Sequence, residues 1–88
     1  MKTASVKVTN RLGVHARPSG LIVRIAQKFE SQISFIKGEQ IADAKSIMAL
    51  MMLAMQSGET IAIQAEGVDE EDAVHALESL FRERFHED

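Results

Sequence analysis

The chain has 88 residues, 45% of them hydrophobic, with a formal charge of −3 and no cysteine, tyrosine or tryptophan. That reads as one folded domain over residues 1–88, too small for a second lobe or a large buried cofactor. Disulfides and thiolate metal sites are excluded, and an acidic balance with neither tyrosine nor tryptophan argues against nucleic-acid binding.

The N-terminus holds no apolar run of signal-peptide length. The apolar segment from Ile47 to Met55 is too short to span a membrane, so a cytoplasmic protein without a membrane partner is expected.

In chain order, Ala4, Val6 and Val8 alternate with Ser5, Lys7 and Thr9, the pattern of a half-buried strand. A loop follows from Asn10 to His15, with Gly13 allowing a tight bend. A helix is expected from Ala16 to about Lys28, with Leu21, Ile22, Ile25, Ala26 and Phe29 at helical spacing. Pro18 suits its first turn, where a missing N–H costs nothing. Gly20, inside that helix, costs about 1 kcal/mol against alanine and is expected to loosen the turn behind His15.

Gln32 to Lys37 reads as a strand with Ile33 and Phe35 on one face. A turn at Lys37-Gly38-Glu39 leads into a short strand, Gln40 to Ala42. Ser46 then caps a short helix expected to reach about Met55 and to be stopped by Gly58. Thr60 to Glu66 alternates again, with Ile61, Ile63 and Ala65 facing one way, and Gly67 breaks it. Asp69 is expected to cap the last helix, with Glu70, Glu71 and Asp72 in its first turn. Ala73, Val74, Leu77, Leu80 and Phe81 form its apolar stripe, and Glu87 and Asp88 read as a solvated tail.

The order β-α-β-β-α-β-α, with strands that alternate, predicts an α+β two-layer domain with helices over one face of an antiparallel sheet.

Chemistry concentrates in Asn10-Arg11-Leu12-Gly13-Val14-His15-Ala16-Arg17-Pro18. The spacing puts His15 at the mouth of the first helix, where backbone N–H groups and the helix dipole favour an anion. A neutral imidazole nitrogen attacks phosphorus well, and Arg17 is placed to balance phosphate charge. In the helix after Ser46, Leu50 and Leu53 supply one buried stripe, while Ile47, Met48 and Met51 share another face. Adaptable methionines on an exposed face suit docking to several partners, and Arg24, Lys28 and Lys45 are candidates for a positive rim. His75 and His86 share no metal-like spacing with His15, so no metal or cofactor is expected.

The first motif, together with Ala44-Lys45-Ser46-Ile47-Met48, resembles HPr, the histidine-containing phosphocarrier family of the bacterial phosphoenolpyruvate-dependent sugar phosphotransferase system. The resemblance covers the whole chain and implies an open-faced β-sandwich, four antiparallel strands with three helices on one side. It implies a carrier rather than an enzyme: His15 takes a phosphoryl group on Nδ1 from phospho-enzyme I and gives it to enzyme IIA, with Arg17 at the phosphate or at an acidic partner site. It implies regulatory phosphorylation of Ser46 by an HPr kinase/phosphorylase, partner docking through Arg24, Lys45, Ile47, Met48 and Met51, a transcriptional regulator among the partners, and a monomer.

Two other readings stand beside this one. A nitrogen-type paralogue would relay a regulatory signal, and the His15 motif does not separate that branch, although Lys45-Ser46-Ile47-Met48 leans toward the sugar type. A ligand- or RNA-binding domain without phosphotransfer would leave the His15–Arg17 pair and the methionine face unexplained.

Overall fold

Alternating side chains decide how the strands lie, because only one face of each is apolar. The computed structural model describes residues 1–86. It contains β1 (Lys2–Lys7), α1 (Ala16–Ala26), β2 (Gln32–Lys37), β3 (Gln40–Asp43), α2 (Ile47–Leu53), β4 (Thr60–Glu66) and α3 (Glu70–Arg82), then a short turn at Arg84–His86. The strands form one antiparallel sheet in the order β1-β4-β2-β3. β4 therefore lies in the middle, with β1 and β3 as edges.

Registers place Ile33 opposite Ala65, and Phe35 opposite Ile63 on one side and Ala42 on the other. All five are buried beneath the helices. The opposite pleat carries Ser34, Gln64 and the exposed Ile41. α1 contributes Ile22 and Ala26 to the same core, α2 contributes Leu50 and Leu53, and α3 contributes Ala73, Val74, Leu77, Leu80 and Phe81. Phe81 packs against Phe35 and, edge to face at 4.8 Å, against the buried Phe85. This is the expected α+β open-faced sandwich.

Several element ends differ from the sequence reading. β1 stops at Lys7 because Val8, although buried, exchanges hydrogen bonds with the loop before β4: its N–H donates to Glu59 O, and its carbonyl accepts from Gly58 N–H. α1 ends at Ala26, two residues short of Lys28. α2 ends at Leu53, well before Gly58, because Ala54 takes a left-handed conformation (φ 55°, ψ 60°). Glu87 and Asp88 lie outside the described residues.

Asp69 does not cap α3 with its side chain. Its carboxylate reaches back to the segment before β2, accepting from the Glu30 N–H at 2.9 Å, the Ser31 N–H at 3.0 Å and the Ser31 hydroxyl. The Ser31 hydroxyl bond, followed by the Glu30 N–H, holds the Asp69 carboxyl below its usual range. Glu70 satisfies the local donor instead, accepting from the Gly67 N–H at 3.1 Å. Gly67 itself is pressed against Ser31, where a Cβ would stand 2.7 Å from Ser31 Cα.

Two outcomes follow. Because the folded state lowers the Asp69 pKa, the contribution of this carboxylate to stability is complete above the unfolded value of about 3.9 and is lost as pH falls through the folded value. Asp69→Asn therefore lowers the melting temperature by a constant amount above about pH 5, with the difference shrinking below about pH 4; a pH-independent difference contradicts this. Gly20 has an ordinary helical backbone, and a Cβ there would meet only Ile47 Cδ1 at 3.9 Å. Gly20→Ala is expected to raise the urea midpoint by up to about 1 kcal/mol of stability, and a lowered midpoint would mean that α1 and α2 cannot accept the methyl.

Candidate functional site

His15 is the residue immediately before α1, with extended backbone (φ −93°, ψ −160°) and a carbonyl that accepts the Ser19 N–H at 2.9 Å. Its side chain makes no capping bond to the helix. The imidazole is thus held at the helix mouth without satisfying the first-turn N–H groups, which have no intrahelical acceptor. The residue is half-buried and its Nε2 is inaccessible to solvent.

The loop that delivers His15 is fixed at several points. Asn10 is buried, and its Nδ2 donates to Gly13 O at 2.6 Å while the Gly13 N–H donates to Asn10 O at 3.1 Å. The Val14 N–H donates to Met55 O at 2.9 Å. Gly13 has φ +72°, and a Cβ there would stand 2.8 Å from Met55 O. Conformation and space both require glycine at that point.

The segment receiving this loop is itself held. Lys37 Nζ donates to Ala54 O at 2.9 Å, and the Gln56 N–H donates to the Glu59 carboxylate at 2.7 Å. That N–H chiefly, with help from Lys37, keeps the Glu59 carboxyl below its usual range.

Arg17, exposed and two residues beyond His15, donates through both terminal guanidinium nitrogens to Phe85 O, at 2.8 and 3.3 Å. The sequence offers no local signal for this contact, which joins α1 to the turn after α3. In that turn Arg84, Phe85 and His86 all take positive φ.

Ser46 is the N-cap of α2, as the sequence implies: its Oγ accepts the Ala49 N–H at 3.1 Å. α2 buries Leu50 and Leu53 and exposes Ile47, Met48 and Met51 by 47%, 71% and 44%. Leu12 in the His15 loop and Met52 on α2 are also exposed, by 73% and 76%. The sequence reading did not single them out, although an apolar residue in a polar loop and the Met48–Met52 spacing of four were visible signals.

The expected rim divides. Arg24 and Lys28 are exposed near the end of α1. Lys45 is half-buried, and its Nζ donates to Phe29 O at 2.8 Å, so it ties the start of α2 to the segment after α1. His75 is exposed on α3, and His86 Nε2 lies 3.6 Å from the Glu83 carboxylate. Among the described residues no cluster of three or more His, Asp or Glu is placed to hold a metal ion, and no helix is long and apolar enough to cross a membrane.

The geometry thus sets a half-buried histidine at a helix mouth, an arginine two residues on, and a capped apolar helix beside α1. The family model described as "PTS HPr component phosphorylation site" matches residues 2–83. The chain belongs to the HPr family.

Among its HPr relatives, the phosphocarrier protein HPr of Treponema pallidum (strain Nichols) is 42% identical over 88 residues, all of both chains. The phosphocarrier protein NPr of Escherichia coli (strain K12) is 38% identical, covering 96% of this chain and 94% of that one. The crystal structure of HPr-C-His from Thermoanaerobacter tengcongensis superposes with a TM-score of 0.96 at 42% identity, covering 100% of this chain and 99% of that one. HPr proteins are phosphocarriers of the phosphotransferase system, and this chain has the HPr fold throughout.

Removing the Ser46 cap is expected to lower stability by about 1 kcal/mol. Urea unfolding of Ser46→Ala measures this, and an unchanged midpoint would mean that the 3.1 Å bond to Ala49 contributes nothing.

Proposed function

We propose that this chain carries a phosphoryl group on His15, accepting it from phospho-enzyme I and delivering it to an enzyme IIA. The observation that carries the reading is the placement of His15, held by its backbone at the mouth of α1 with its side chain not spent on capping. The inaccessibility of Nε2 supports Nδ1 as the attacking nitrogen. Its lone pair forms the new P–N bond while the donor's bond to phosphorus breaks and that electron pair returns to the donor. The first-turn N–H groups and dipole of α1 stabilise the negative oxygens on the transferred group.

Arg17 contributes a planar cation that matches phosphate oxygens. It also donates to the Phe85 carbonyl, a weaker acceptor for a guanidinium than a dianionic phosphoryl group. The exposed Ile47, Met48 and Met51, with Arg24 at the edge, form the face offered to partners, and Lys45 supports the helix that carries it. Phosphorylation of Ser46 by an HPr kinase/phosphorylase would put charge beside Met48 and change which partners dock, a transcriptional regulator among them. The chain works as a cytoplasmic monomer in this reading, with catalysis supplied by its partners.

The sugar branch is preferred on Lys45-Ser46-Ile47-Met48. The 38% identity to an NPr supports the nitrogen-type relay as the second reading.

Incubation with phosphoenolpyruvate and enzyme I, read by intact mass, tests the carrier. One acid-labile phosphate is expected on the wild type and none on a folded His15→Ala variant. Phosphate retained by His15→Ala would overturn the assignment.

A further inference from the structure

A second cationic site lies away from His15. Along the outer side of β1, where that edge strand meets the end of α3, runs an open groove of about 400 Å³. Lys7, Arg82 and Arg84 line it, against a single carboxylate from Glu78. Ser5 and Thr9 add hydroxyls, and Val6 and Phe81 supply apolar surface.

The charge balance is unusual for this chain. Acidic residues outnumber Lys and Arg by 13 to 10, yet here three cations converge on one concave place. Three cations elsewhere in the fold are engaged: Lys37 with Ala54 O and Glu59, Lys45 with Phe29 O, Arg17 with Phe85 O. Among the described residues the side chains of Lys7, Arg82 and Arg84 make no ion pair or hydrogen bond. Three like charges facing one carboxylate leave a net positive charge in the groove, an electrostatic demand that an anion satisfies. Arg84 has a positive φ of 54°, a conformation uncommon for a residue with a side chain.

We propose that this groove binds the phosphate group of a small molecule. Arginine forks and a lysine ammonium suit phosphate oxygens, and the two hydroxyls are further donors. The volume falls within the range of small-molecule sites, and the Val6 and Phe81 surface can take a carbon skeleton. Neither His15 nor the carrier reading is needed for this binding, although the groove ends one residue from Phe85, whose carbonyl holds Arg17.

The test is a ¹H–¹⁵N titration of the full chain at fixed ionic strength with inorganic phosphate, ribose 5-phosphate and ribose. Saturable shifts at Ser5, Lys7, Thr9, Arg82 and Arg84 are expected with both phosphates and not with ribose. Tighter binding of ribose 5-phosphate assigns the site to a phosphorylated metabolite, and equal binding assigns it to free phosphate. The exposed substitutions Lys7→Gln and Arg82→Gln, each made separately, are expected to weaken binding by about tenfold, a loss of about 1.4 kcal/mol, with the rest of the spectrum confirming the fold. Shifts that do not saturate, that centre on His15 and Arg17, or that survive both substitutions would overturn the proposal. So would a glutamate-rich peptide that binds the groove more tightly than either phosphate, since the groove would then belong to a protein partner.

Discussion

The site depends on one close approach of two backbones. Gly13 comes so near to Met55 O that a Cβ would stand 2.8 Å from it, and the adjacent Val14 N–H bonds that same oxygen. This contact fastens the loop before α1 to the segment after α2. It fixes His15 at the helix mouth and, at the same time, sets where α2 and its exposed methionines lie relative to that histidine. Glycine at position 13 and a left-handed Ala54 are two requirements of the same join.

Around that join, long polar side chains serve backbone groups at element ends. Lys37 reaches the end of α2, Lys45 reaches the segment after α1, Arg17 reaches the turn after α3, and Asp69 reaches the segment before β2. Each satisfies donors or acceptors that secondary structure leaves over, and each links parts of the chain distant in sequence. Helices cover one sheet face only, so the fold gathers His15 and the apolar α2 surface on that side.

The fold was readable where the signal is local. β2 and β4 have the predicted bounds because alternating residues are bracketed by turn residues. The His15 motif and the Ser46 cap were readable for the same reason: each is a few adjacent residues with a backbone consequence. What escaped the reading was set by distant partners. Alanine favours helix, yet Ala54 leaves it because Lys37 and Val14 engage the carbonyls of Ala54 and Met55. Asp69 looks like a cap, but its carboxylate finds three donors on residues 30 and 31. Val8 continues the β1 alternation while its hydrogen bonds pass to a loop. Arg17 and Phe85 are 68 residues apart, beyond any periodicity argument.

The most direct test of how the backbone join governs chemistry is the ¹⁵N–³¹P coupling pattern of His15 in the phosphorylated, ¹⁵N-histidine-labelled chain. Nε2 is inaccessible to solvent, and the account predicts a one-bond coupling to phosphorus on Nδ1. A one-bond coupling on Nε2, or a phosphate on another residue with His15 unmodified, would contradict it.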